Sequence, residues 1–209
     1  MKLIDISDPL YEEMLRYPSV KPFQLHQLRD YSLGDTMAMT SMEMVIHNGT
    51  HLDAPYHYIE NGQKIDELPL ERFYGAAQVL SCDSPIIDLE QVKKLRISKS
   101  RVLFHTPFSK NICENQPGQA SYLTAEAAEY LAQAGVTLVG IDSFSVDKEH
   151  DKQKPAHKTL LGHGVVLLEG ICLEGVADGA YELICFPLRL RGAEGAPCRA
   201  VLIEEGGRL

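Results

Sequence analysis

The sequence predicts one α/β domain built on a mixed sheet, and three observations carry that prediction. At 209 residues the chain suits one compact core, since domains commonly run to roughly 100–200 residues. Seven short apolar runs rich in β-formers are spread along it, with three helix candidates between them. That excess of strands over helices argues for a mixed sheet rather than a strict parallel alternation. Neither an internal repeat nor a low-complexity segment divides the chain, so one domain over residues 1–209 is expected.

The elements follow in order. Residues 39–46 (MTSMEMVI) partly alternate and read as a strand. Residues 76–82 (AAQVLSC), 101–106 (RVLFHT), 136–142 (VTLVGID) and 165–170 (VVLLEG) have the look of further strands. So do 181–188 (YELICFPL) and 199–205 (RAVLIEE). Helices are predicted over 88–95 (DLEQVKKL), 124–135 (TAEAAEYLAQAG) and 157–162 (HKTLLG). In the second, Thr124 can accept from the free N–H groups of the first turn, alanines favour the helix, and Gly135 suits the position after its end. Residues 108–121 (FSKNICENQPGQAS) carry Asn, Pro and Gly without an apolar period and read as a mobile surface loop.

Composition excludes several classes. Hydrophobic content of 44% and charged content of 23% are ordinary for globular proteins. With a net charge of −9 and no Lys/Arg run longer than Lys93-Lys94, a nucleic-acid partner is not expected. The five cysteines (Cys82, Cys113, Cys172, Cys185 and Cys198) are odd in number and form no C-x-x-C pair. They read as reduced thiols of a cytosolic protein. The opening MKLIDISDPL puts Asp5 and Asp8 where a signal peptide needs its apolar core. No apolar run approaches the roughly 18 residues of a membrane span. A soluble, cytoplasmic protein without a membrane partner is expected.

The chemistry concentrates in residues 46–58 (IHNGTHLDAPYHY), which hold three of the eight histidines and an aspartate. His47 and His51 stand four apart, as on a metal-binding helix, but Gly49, Thr50 and Pro55 oppose a helix there. In an extended chain the side chains of 47, 51 and 53 would share one side. Full extension, at roughly 3.3 Å per residue, would set His47 and Asp53 about 20 Å apart. That is too far for one ion whose ligands sit at about 2.0–2.2 Å. The chain must therefore bend, and Asn48-Gly49 is a natural place. Two imidazoles and a carboxylate suit Zn²⁺ and leave a position for water, which such an ion acidifies toward a pKa of about 7. His57 is then placed to work as general acid/base. The alternative is a solvated polar turn, because two histidines at such spacing arise often by chance. Four ligating side chains around one Gly-Thr turn favour the metal.

The string His47-x-Gly49-Thr50-His51-x-Asp53-x-Pro55-x-His57 resembles the signature of the cyclase-type metal-dependent hydrolases, a family that includes bacterial kynurenine formamidase and isatin hydrolase. The opening KLIDISDPLYEEM, residues 65–75 (IDELPLERFYG), 139–147 (VGIDSFSVD) and 156–176 (AHKTLLGHGVVLLEGICLEGV) are similar to further stretches of that family, in the same order. The resemblance implies that His47, His51 and Asp53 ligate a first ion. Asp53 would bridge to a second ion completed by His157 and Glu169, with His57 as the catalytic acid/base. It also implies a swivelling β/β/α fold, a homodimer or higher homo-oligomer, and zinc or manganese as one or two ions per subunit. From the residues alone, His157 opens a short helix at a loop junction. Glu169 ends the apolar run VVLL, where a buried carboxylate must be paired or ligated.

One stretch departs from the family. Where kynurenine formamidases carry an Arg-Thr-Gly turn after the central strand, this chain has FHTPF (104–108). A neutral histidine offers one donor in place of the arginine fork, so His105 is expected to contact a different substrate or to anchor it differently. The remaining histidines, His26, His150 and His163, read as surface or hydrogen-bonded residues. The function expected is metal-dependent hydrolysis of a C–N bond in a small amide, most like an aryl formamidase. Hydrolysis of a cyclic imide, lactam or lactone, or a cyclase reaction, on the same centre is the alternative within enzymes. A metal-stabilised binding domain is the alternative outside them, and the lack of cysteine near the cluster speaks against it.

Overall fold

The apolar runs assemble into a nine-stranded sheet. The computed structural model of the protein describes residues 2–204. In chain order the strands are β1 (Leu3–Asp5), β2 (Gln24–Arg29), β3 (Met39–Glu43), β4 (His51–Asp53), β5 (Tyr74–Ser81), β6 (Ile86–Ile87) and β7 (Arg101–His105). They continue as β8 (Tyr122–Leu123), β9 (Leu138–Ile141), β10 (Val166–Glu169), β11 (Gly179–Ile184), β12 (Gly195–Pro197) and β13 (Val201–Glu204). The α-helices are α1 (Leu89–Lys94), α2 (Ser109–Cys113), α3 (Ala125–Gln133) and α4 (Pro155–Gly162). The large sheet runs β1-β13-β11-β5-β7-β9-β10-β4-β12, while β2 pairs β3 and β6 pairs β8 in separate ribbons.

The sheet is mixed, as expected. Pairs β5–β7, β7–β9 and β9–β10 are parallel, and every other pair in it is antiparallel. All four residues of β9 and of β10 are buried, which is why both read as unbroken apolar runs. Alternation along the strands feeds two cores. Val102, Phe104, Val139, Ile141 and Leu167 face α1, α3 and α4 through Val92, Leu131 and Leu160. Leu103, Leu138, Val166 and Leu168 face inward with Leu52, Val79, Leu183 and Leu202. Strands from both ends of the sheet meet in that second core, so the sheet curls around it.

Helix ends obey local chemistry. Thr124 Oγ1 accepts the Ala127 N–H at 3.3 Å, and Asp88 and Gln91 cap α1 reciprocally. Gly135 closes α3 at φ +79°.

Three expectations need correction. Residues 108–121 are not simply a surface loop: Ser109–Cys113 form α2, Ile112 is buried, and Ser109 Oγ accepts the Leu173 N–H at 2.9 Å. One helical turn is too short to show a period, so only its tertiary contacts reveal it. Nor are all five cysteines thiols. Cys113 and Cys172 form a disulfide with Cα atoms 5.4 Å apart, while Cys82, Cys185 and Cys198 are free. The partners lie 59 residues apart, and no spacing rule pairs them. Finally, the strand expected over 39–46 stops at Glu43, because the chain must turn to deliver His47. Among the described residues no helix is long and apolar enough to cross a membrane.

Candidate active site

The Gly-Thr pair of the histidine cluster is what docks it. Asn48 N–H closes a turn on the Val45 carbonyl at 3.0 Å, and Asn48 Nδ2 donates to the Lys21 carbonyl at 3.0 Å. Gly49 sits at φ +65°, a left-handed conformation that favours glycine. Thr50 Oγ1 donates to the Gly170 carbonyl at 2.6 Å and accepts the Asp8 N–H at 2.8 Å. These bonds pin the turn to the end of β10, one residue beyond Glu169.

The chain then enters β4, between β10 and β12. The two-residue period sends His51 and Asp53 to one face, and the antiparallel register sets Glu169 directly opposite His51. Pro55 opens a 3-10 turn, Pro55–His57, whose His57 N–H returns to the Ala54 carbonyl at 2.9 Å. That turn stacks the His57 ring on His47, with centroids 4.2 Å apart. His157 arrives from the first turn of α4, which Asp147 caps by accepting the N–H groups of Ala156 (2.8 Å) and His157 (3.1 Å).

Six of the seven residues singled out in the sequence therefore converge. His47 Nδ1 and His51 Nε2 lie 2.9 and 3.4 Å from Asp53 Oδ1. His157 Nε2 lies 3.4 Å from Asp53 Oδ2 and 3.4 Å from Glu169 Oε1, and His51 Nε2 is 3.5 Å from Glu169 Oε2. The ligating atoms of His47, Asp53 and His57 fall within 4.8 Å of one another, as do those of His51, Asp53 and Glu169. Although His47 is close to Asp53, its N–H is not aligned with the carboxylate. Both Asp53 oxygens and His51 Nε2 are buried without a hydrogen-bond partner.

Such orphans are expensive unless something pairs them, and a divalent cation among these donors fits. The outer contacts agree. His51 Nδ1 donates to the Gly49 carbonyl at 2.9 Å and His157 Nδ1 to Asp147 Oδ2 at 2.6 Å. Each bond fixes the tautomer that aims an Nε2 lone pair into the cluster.

The electrostatics describe the centre without an ion. Burial alone would lower His47 and His157. For His47, Asp53, Glu169 and Glu194 outweigh burial and push it up to about 9. For His157, Glu169, Asp147 and Asp53 push it up to about 10. Asp53 goes the other way: burial would raise it, but His47 and His51 hold it well below the carboxylate range. Protons thus occupy the place a cation would take. Burial drives His57 down to about 4 against the pull of Asp53, with His47 and His157 adding to the fall. His57 is neutral near pH 7, the state a general base requires.

Above the cluster opens a cavity of about 400 Å³, walled by Tyr17, Tyr58, Phe144 and Lys154 and floored by His47, His57, His157 and Glu169. His105 does not line it. This expected contact is corrected: His105 ends β7, which β9 separates from β10, and the next residue, Thr106, donates N–H and O–H to Asp142 at 2.7 and 2.6 Å. His150, read as plain surface, does line the cavity, while His163 Nδ1 only returns to the Thr159 carbonyl. Sequence reading also missed three contributors. Asp147 was given no role: it stands eight residues before Pro155, the first residue of α4, too far for a local capping rule to find it. Tyr17 and Lys154 left no signal of their own.

Residues 4–148 match the "Putative cyclase" family model. The chain is 35% identical over 205 residues to a kynurenine formamidase of Bacillus thuringiensis subsp. konkukian, covering 95% of this chain and 96% of that one. It superposes at a TM-score of 0.84, with 29% identity and 96% of each chain covered, on a solved structure described as a potential metal-dependent hydrolase with cyclase activity. Isatin hydrolase A of Labrenzia aggregata shares the fold at a TM-score of 0.82 and 24% identity, over 98% of this chain and 94% of its own.

Proposed function

The chain belongs to the cyclase family and is a metal-dependent hydrolase; on that premise we propose that it cleaves the C–N bond of a small amide, most like an aryl formamidase. The observation that carries the reading is Asp53: a fully buried carboxylate with both oxygens unpaired among three imidazoles. The relatives named kynurenine formamidase support the choice of bond.

We assign His47, His51 and Asp53 to one ion, and His157 and Glu169, with Asp53 shared, to a second. Zinc suits these imidazole and carboxylate donors, and manganese is the alternative. A bound divalent cation supplies Lewis acidity toward a carbonyl oxygen and acidifies a coordinated water. The chain's own residues do the rest. His57 takes a proton from the attacking water and returns it to the leaving nitrogen. Asp147 and the Gly49 carbonyl hold His157 and His51 in their tautomers. Phe144 and Tyr58 flank the reacting amide with apolar surface and thin the water around it.

A cavity of about 400 Å³ supports a small-molecule substrate. A homo-oligomer is supported by the β2–β3 ribbon, whose Leu25, Leu28 and Met42 are each more than half exposed, since an isolated two-stranded ribbon is barely stable in water. Three free cysteines support a reducing, cytoplasmic setting and the Cys113–Cys172 disulfide argues against it; thiol labelling in a fresh cell extract decides.

The test is metal analysis of purified protein together with assays on N-formylkynurenine and isatin. Bound divalent metal and release of formate are expected. Ring opening of isatin without formate release would move the reading to cyclic amides. No metal uptake and no turnover after reconstitution would overturn it.

A further inference from the structure

We propose that a second cavity, beside the metal-binding turn, takes a small primary amine as its ammonium ion, with Asp8 as the counter-ion. This goes beyond the hydrolase reading and does not depend on it. The cavity measures about 500 Å³ and lies between residues 5–10, Thr50 and residues 197–199, a volume that suits a small molecule. It shares no lining residue with the cavity above the histidine cluster. Asp8 N–H donates to Thr50 Oγ1 at 2.8 Å and Cys198 N–H to the Thr50 carbonyl at 3.1 Å. An occupant therefore bears on the backbone that leads into His51.

The polar side chains of the wall are engaged, with one exception. Arg199 Nε lies 2.9 Å from both Asp5 oxygens, and the Ser7 N–H donates to Asp5 Oδ1 at 3.1 Å. Ser7 Oγ donates to the Ala200 carbonyl at 3.2 Å and accepts the Ala200 N–H at 2.8 Å. Thr50 Oγ1 is taken by Gly170 and the Asp8 backbone. The exception is the Asp8 carboxylate. Asp8 is only 8% exposed, and among the described residues no N–H or O–H holds its carboxylate. Burial acts on it unopposed and pushes it up to about 7. A buried carboxylate without a partner is costly. Because Arg199 cancels Asp5, Asp8 leaves the cavity with one negative charge to match.

That remainder defines the ligand. Vacant carboxylate lone pairs call for N–H donors that carry positive charge. A calcium ion would need roughly six to eight oxygen ligands, and the other carboxylate of this wall is already paired. A quaternary ammonium has no donor and is recognised by aromatic faces, which the wall lacks. Pro9, Leu10 and Pro197 line the same space and suit the apolar body of an amine.

The test is calorimetry on the metal-loaded protein near pH 8, where Asp8 is ionised, with benzylamine and benzyl alcohol as probes. The amine is expected to bind once per chain, and the alcohol, of similar shape without the charge, is not. Asp8→Asn keeps the side-chain shape and removes its charge; it should weaken amine binding at least tenfold, the loss expected of a charge-assisted hydrogen bond. Independently, wild-type crystals grown with benzylamine should hold its nitrogen within hydrogen-bond reach of Asp8. No binding at millimolar amine, equal binding by Asp8→Asn, or an amine found only among the histidines overturns the proposal. So does an Asp8→Asn protein that falls from oligomer to monomer while the wild type ignores the amine, because the carboxylate then serves a partner's side chain. Turnover is not read, so failure of the hydrolase reading leaves this test intact.

Discussion

Asp147→Asn isolates the contribution of a residue that ligates nothing. Asp147 Oδ1 accepts the Ala156 N–H, and Oδ2 accepts both the His157 N–H and Nδ1–H. Asparagine has one acceptor oxygen. If that oxygen keeps the backbone cap, its NH₂ faces His157 Nδ1 and forces the other tautomer. The ring proton then moves to Nε2, 3.4 Å from both Asp53 Oδ2 and Glu169 Oε1, where a cation needs a lone pair. Without metal, His157 carries both ring protons, being pushed up to about 10, against burial, by Glu169, Asp147 and Asp53, so the metal-free fold also loses the stability of the Asp147 pairing. With metal, losing such an outer contact typically costs 10–100-fold in affinity, or about 1.4–2.8 kcal/mol. Metal titrations followed by thermal melts at pH 7 separate the two. The variant should melt below the wild type in chelator and, from that lower start, also gain less from added zinc or manganese. Wild-type metal affinity in a folded Asp147→Asn protein would refute the tautomer argument.

Other consequences are checked as directly. Thr50→Val strands the buried Gly170 carbonyl and Asp8 N–H, each at about 1–3 kcal/mol; the unfolding free energy from denaturant titration should fall by at least one such increment, and Thr50→Ser should recover most of it. His57→Ala should keep metal by elemental analysis and lose at least a hundredfold in kcat, whereas His51→Ala should lose metal as well; full turnover in the first would remove His57 from the mechanism. In chelator, His47 at about 9 and His157 at about 10 stand above their ordinary 6.5. The stability they contribute is complete below pH 6.5 and is lost as pH climbs through 9 to 10, so midpoints should fall from pH 7.5 to 10; a flat profile would contradict the ion-pair description. Paired Cys113→Ser and Cys172→Ser changes open a long covalent loop and should cost about 2–4 kcal/mol, seen as a lower melting temperature in non-reducing buffer only.

Much of the site was readable because it is local. The bend at Asn48-Gly49, the shared face of His51 and Asp53, and the turn started by Pro55 all follow from backbone preferences within a few residues. The cap at Thr124 was legible for the same reason. By contrast, α2 is one turn long and its burial depends on Leu173, 64 residues away. His105 looked like a substrate contact from its place after a central strand, but strand order put β9 between it and the cluster.

What the sequence determined by itself is the inventory and local shape of the metal-binding turn, because eleven consecutive residues contain both the ligands and the glycine, threonine and proline that shape their path. What only the tertiary structure decided is how those ligands are completed and what they face. Thr50 reaches Gly170 across 120 residues, Glu169 meets His51 through strand register, and Lys154 meets Tyr17 across 137. Such contacts arise from the packing of the curled sheet, and no period or short motif along the chain encodes them.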